Sequence, residues 1–191
     1  MKSGRRYLSR AFCLGTFAVA LSGSAFAAEP KPDLARAEEI VSGRCFLCHG
    51  MEGESSSPLF PRLAGQHPEY MAKQLADFKA GKRKSETMKP QTDELTPAEM
   101  KALGLFFQSK KSVPHPAEDK DLAGVGRYVF QKGNSYSGVA ACSGCHGVKG
   151  YGTAQLPRLA GQHPAYIETQ LKQFNKRERT NDNDEIGRAH V

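Results

Sequence analysis

The sequence predicts an all-α protein of two tandem helical units, on three observations. The eight residues "PRLAGQHP" stand at 61–68 and again at 157–164. The pattern Cys-x-x-Cys-His stands at Cys45, Cys48 and His49 and again at Cys142, Cys145 and His146. The first pattern recurs at an offset of 96 residues and the second at 97, so the chain reads as one unit written twice with a single-residue deletion. Between these landmarks apolar residues recur at helical spacing, and no alternating strand pattern competes.

Residues 1–27 precede both units. A cationic start (Lys2, Arg5, Arg6, Arg10), a short apolar run and the small residues Ala25 and Ala27 make a secretory signal cleaved after Ala27. The apolar run is too short to span a bilayer, and Cys13 lies too early for a lipoprotein site. Those four cations are part of the 27 basic residues, whereas none of the 20 acids falls in the signal, so the mature balance is 23 against 20, a net charge of about +3. The high pI is thus largely a targeting feature. "KAGKRK" at 79–84 reads as a solvated helix end, and no nucleic-acid partner is expected.

The first unit takes residues 28–110. "PDLARAEEIVSG" is a helix that turns Leu34, Ala37, Ile40 and Val41 to one face and leads into Cys45. "HPEYMAKQLADFKAG" opens on Pro68, carries Met71, Leu75 and Phe78 on one stripe and stops at Gly81. "TPAEMKALGLFFQS" has a capping box from Thr96 to Glu99 and an apolar face of Met100, Leu103, Phe106 and Phe107. Residues 111–119 are a proline-bearing linker. The second unit, 120–184, repeats the first helix as "DLAGVGRYVFQKG" and the middle one as "HPAYIETQLKQF", and lacks a counterpart of the last. Such small units bury a thin core, which a large apolar cofactor at the centre repairs.

Cys-x-x-Cys-His is the pattern of c-type haem attachment. The two thiols add to the porphyrin vinyl groups as thioethers, and the adjacent histidine ligates the iron. Cys45, Cys48, Cys142 and Cys145 are therefore the covalent haem c residues, with His49 and His146 as iron ligands. Zinc ribbons place their cysteine pairs much closer together, a thioredoxin-like pair wants a βαβ context, and disulfides leave both histidines unexplained. Four exported thiols not used as disulfides need another use, and two haem c groups supply it.

With both "CxxCHG" sets, both "PRLAGQHP" blocks and the linker in view, the chain resembles the cytochrome c4 family, dihaem c-type cytochromes of two cytochrome-c-like domains. The resemblance covers nearly the whole mature sequence. It implies histidine–methionine ligation of each iron and a proline carbonyl on the other imidazole nitrogen, here Pro61 and Pro157. For the first haem Met51 lies too close to His49, Met71 and Met100 fall on apolar stripes, and Met88 in "KSETMKPQ" can reach the opposite face. Thioether ligation raises the potential. Arg62 and Arg158 are candidates to pair with haem propionates. His67 and His163 precede helix-starting prolines and read as structural or surface residues.

After Met100 the sequence contains no methionine, so the sixth ligand of the second haem is absent. Residues 185–191 resemble the translation of a short-read sequencing adapter and read as a non-native tail; the competing reading makes His190 the ligand. The resemblance implies a periplasmic electron carrier, not an enzyme, that takes electrons from a quinol-oxidising cytochrome bc complex and passes them to a terminal oxidase, with loose peripheral membrane association. The alternative is a dihaem electron-transfer subunit of a flavocytochrome or dehydrogenase complex. A dihaem peroxidase is disfavoured by length.

Overall fold

The computed structural model describes residues 31–182 and Gly187. The expected signal, 1–27, lies outside the described residues, as does the expected tail, 185–191, apart from Gly187. The fold is all-α: among the described residues the only pairing of extended chain is an isolated bridge between Asn134 and Val139.

In the first half, α1 (Leu34–Ile40) is capped by Asp33, which accepts from the Arg36 amide. It runs without a break into a π-helical turn, Val41–Cys45, and then α2, Phe46–His49. The π turn was not legible in the apolar spacing. It adds one residue to the turn that ends on the first thiol, Cys45, a device common at functional sites. Then come α3 (Pro68–Lys79), α4 (Met88–Thr92) and α5 (Pro97–Gln108). The capping box is present in full: Thr96 accepts from the Glu99 amide, and the Glu99 carboxylate accepts from the Thr96 amide. Met88, expected in a loop, opens α4 instead, where its amide donates to Ser85 Oγ and its carbonyl accepts from Thr92 Oγ1.

α5 packs against both α1 and α3. Ala37, Ile40, Val41, Met71, Met100, Leu103, Phe106 and Phe107 form the core between them. Met71 and Met100 are thus core residues, as their stripes predict, while Met51 is 38% exposed.

The second half contains α6 (Lys120–Lys132), α7 (Ser143–His146) and α8 (Pro164–Asn175). Here α6 is separated along the chain from the thiols by a loop that the Asn134–Val139 bridge closes, although it still touches α7. Leu122, Val125 and Tyr128 of α6 are 68%, 62% and 66% exposed, and among the described residues no apolar side chain after Phe107 is buried. The contrast has a direct cause: α1 is covered by α5, whereas no described element covers α6 in the same way. The linker is pinned to the first half by Glu54, which accepts from the Val113 amide and lies 3.3 Å from His115 Nε2.

Candidate functional site

Each Cys-x-x-Cys-His set sits on a short helix, so its three side chains are presented by about one helical turn. None of the four cysteines is paired in a disulfide. Burial pushes the Cys45 and Cys142 thiols above their ordinary range. Burial also pushes the His49 imidazole down, against the opposing pull of its hydrogen bond to Pro61, so the ring is held neutral.

That bond fixes the tautomer. His49 Nδ1–H donates to Pro61 O at 2.9 Å, and His146 Nδ1–H donates to Pro157 O at the same distance. With Nδ1 carrying the proton, Nε2 keeps its lone pair for a metal. Both histidines are buried, at 6% and 5% exposure.

Residues of both sets face one cavity of about 830 Å³ that extends across the two halves, whereas Cys145 is exposed and does not line it. Cys45, Cys48 and His49 line it from the first half with Met88, and Cys142 and His146 from the second. Leu63, Met71, Leu75 and Phe78, with Ile167, Leu171 and Phe174, give it an apolar wall. Arg62 and Arg158 line it too. Arg62 Nη1 donates to Gly161 O, and its buried Nε lies 3.4 Å from Glu54 Oε2 without making a hydrogen bond. Arg158 Nε donates to Ala160 O, and its guanidinium stacks over Tyr151 with 4.5 Å to the ring centroid. The donor set of two thiols and a neutral imidazole and the apolar wall together fit haem c.

The structure also explains the repeated block, which the sequence showed without a reason. Its glutamines clasp the opposite half. Gln162 Oε1 accepts from the Arg62 amide and Gln162 Nε2 donates to Arg62 O, both at 2.9 Å. Gln66 Oε1 accepts from the Arg158 amide at 2.8 Å and Gln66 Nε2 donates to Arg158 O at 3.1 Å. His67 Nε2–H donates to Tyr151 O and His163 Nε2–H to Ser55 O, both at 2.8 Å. The two histidines are structural, as expected, and their place is the junction between the halves.

A second symmetric layer was missed. Arg83 stacks on Phe78 and donates to Gln74, Tyr166 and Gln170. Arg179 stacks on Phe174 and donates to Gln170, Tyr70 and Gln74. Arg83 therefore departs from the expected solvated helix end: its guanidinium serves the junction, while Lys82 and Lys84 stay exposed. The signal was available, since Tyr70, Gln74 and Arg83 recur at the same 96-residue offset as Tyr166, Gln170 and Arg179.

Two helical units, each presenting a thiol–thiol–imidazole set with its histidine anchored to a proline carbonyl, define a dihaem c-type cytochrome. The family model "Cytochrome c" matches residues 34–111 and 130–189. Cytochrome c4 of Thiocapsa roseopersicina is 42% identical over 148 residues, 76% of each chain. Reduced recombinant cytochrome c4 from Pseudomonas stutzeri superposes with a TM-score of 0.77 at 37% identity, covering 83% of this chain and 89% of that one. A thiosulfate dehydrogenase electron acceptor of Thiomonas intermedia is 34% identical, covering 86% of this chain and 77% of its own. The chain belongs to the cytochrome c4 family. It is accordingly an electron-transfer protein that binds two haem c groups, not an enzyme, and it works with redox partners.

Proposed function

We propose that the chain is a periplasmic carrier that accepts electrons from a quinol-oxidising cytochrome bc complex and delivers them to a terminal oxidase, loosely associated with the membrane surface. Its domains are 28–110 and 120–184, joined by 111–119, after removal of the signal 1–27. Bound haem c supplies a one-electron couple at each site. Cys45 and Cys48 anchor the first group and Cys142 and Cys145 the second, while His49 and His146 offer Nε2 to the irons. Met88 offers its thioether to the first iron, which favours the reduced state. Arg62 and Arg158 neutralise propionate charge at the cavity edge. The observation that carries this reading is the paired Nδ1–H to proline carbonyl bond, which leaves each imidazole a single coordinating nitrogen.

The test is ligand binding. With Met88 in place, carbon monoxide and cyanide bind the first haem slowly, and Met88→Ala opens it to rapid binding; rapid binding in the unsubstituted protein removes Met88 from the ligand set. No described helix is long and apolar enough to cross a membrane, which suits a carrier that diffuses between complexes.

A second reading, a haem subunit of a dehydrogenase or flavocytochrome complex, is favoured by the likeness to a thiosulfate dehydrogenase electron acceptor. Stopped-flow reduction separates the two. Fast reduction by a cytochrome bc complex supports the carrier, and co-purification with a catalytic subunit supports the alternative.

A further inference from the structure

The proline carbonyl that holds each haem histidine belongs to a peptide whose other end reaches into the opposite half. Pro61 O accepts from His49 Nδ1–H, and the nitrogen of that same peptide is Arg62 N, whose N–H donates to Gln162 Oε1 at 2.9 Å. In the second half Pro157 O accepts from His146, and Arg158 N–H donates to Gln66 Oε1 at 2.8 Å. Each peptide is thus hydrogen-bonded at both ends, with a haem histidine on one side and a glutamine of the other half on the other.

We propose that Gln162 and Gln66 are positioning residues that set, across the junction, the redox potential of the haem in the opposite half. The inference rests on the reading that His49 and His146 ligate the irons.

The physical basis is polarisation along a hydrogen-bonded chain. An amide whose N–H donates to a good acceptor gains negative charge on its carbonyl oxygen and accepts more strongly. A stronger acceptor at Nδ1–H raises the basicity of the imidazole as a ligand. A more basic ligand favours ferric iron and lowers the potential. Gln162 Oε1 therefore holds the first haem down and Gln66 Oε1 the second. The geometry supports the link on two counts. Each glutamine is fixed, since Nε2 donates to the Arg62 or Arg158 carbonyl and Oε1 also accepts the amide of the following histidine at 3.0 or 3.1 Å. Gln66 is also buried, at 6% exposure, so solvent competes poorly for its oxygen.

The experiment is a spectroelectrochemical titration of the haem-loaded full chain and of Gln162→Met, Gln66→Met and Gln162→Glu. The two potentials are assigned by NMR of the His49 and His146 Nδ1–H protons. Gln162→Met is expected to raise the first haem's potential, about threefold in the reduced-to-oxidised ratio at fixed solution potential, close to 28 mV for one electron. The His49 Nδ1–H resonance should move towards weaker hydrogen bonding, with the second haem unmoved. Gln66→Met should do the reverse. Gln162→Glu, which keeps an oxygen acceptor for the Arg62 amide, should return the first haem to its original potential or lower.

A shift of the haem in the substituted half, an equal shift of both, or no shift overturns the relay, because a loosened junction moves both haems and a local effect moves the near one. If the unsubstituted protein lacks the far-red charge-transfer band of a methionine-ligated ferric haem, the fault lies in the Met88 assignment. If the His49 Nδ1–H proton lacks a haem-shifted resonance, the histidine ligation fails and the relay fails with it.

Discussion

Replacing Gly53 by alanine tests how tightly the loop after the first haem motif is built. Gly53 has φ +72°, a left-handed conformation that costs a residue with a side chain about 1–2 kcal/mol. An added Cβ would stand 2.8 Å from both Ala64 N and Phe107 Cδ1 and 3.2 Å from Leu63 C. Backbone on one side and a core ring on the other cannot yield cheaply, and overpacking of this kind costs about 1–3 kcal/mol. The combined loss is about 2–5 kcal/mol. Gly150 is the internal control, with φ +67° but nothing closer to its added Cβ than 3.5 Å, so Gly150→Ala should cost only the conformational part, about 1–2 kcal/mol. Guanidinium unfolding of the two haem-loaded variants, followed by haem absorbance and far-ultraviolet dichroism, measures the difference. Because Gly53 O accepts from the Leu63 and Ala64 amides, the damage should also reach the adjacent Pro61 and loosen its hold on His49. Equal losses for the two variants would show that the close contacts at Gly53 carry no energy and would refute the reasoning.

Phe107→Ala removes a side chain that is 2% exposed at the centre of the first core, and chemical denaturation should record a loss of about 3–5 kcal/mol. Thr96→Ala breaks the capping box of α5 and should cost about 1 kcal/mol in the same assay. The Thr96 amide and the Arg36 guanidinium hold the Glu99 carboxyl below its ordinary value of 4.5, so its contribution is present above that value and fades as pH falls below it; Glu99→Gln should flatten that part of an acid titration of stability. Arg62→Ala withdraws positive charge from the cavity edge and should lower the first haem's potential in a spectroelectrochemical titration.

Much of this architecture was legible because it depends on local signals. The helix starting at Pro68 and the box from Thr96 to Glu99 are written in a few adjacent residues, and apolar periodicity marked Met71 and Met100 as core. The thiols and imidazoles were legible because covalent attachment fixes their spacing. The π turn at Val41–Cys45 was not, since it falls where the apolar stripe of α1 ends and too few apolar positions follow to reveal a shift of register. The junction was hidden for a different reason. Gln66 and Gln162 bind main-chain groups, which look the same at every position, so no complementary side chain in the sequence advertises the partner. Arg83 was misread because a cation among lysines suggests solvent, whereas its acceptors, Tyr166 and Gln170, lie more than eighty residues away.

The glutamine and arginine contacts that pair across the junction are each made between a residue and the copy of its neighbour, the pattern of a twofold dimer interface, although the bonds of Asn181 to Lys73, Gln74 and Asp77 have no counterpart among the described residues. The molecule is organised as a homodimer whose subunits have been joined by residues 111–119. Joining them turns a concentration-dependent encounter into an internal one, with an effective concentration in the millimolar range for a short tether. It also frees the two copies to differ, which identical subunits cannot do. At the loop position where the first half has Glu54, tied to Arg62 and the linker, the second has Tyr151, cushioning Arg158. A tethered pair can therefore hold its two irons at unequal potentials and give internal electron flow a direction, a property closed to a symmetric dimer.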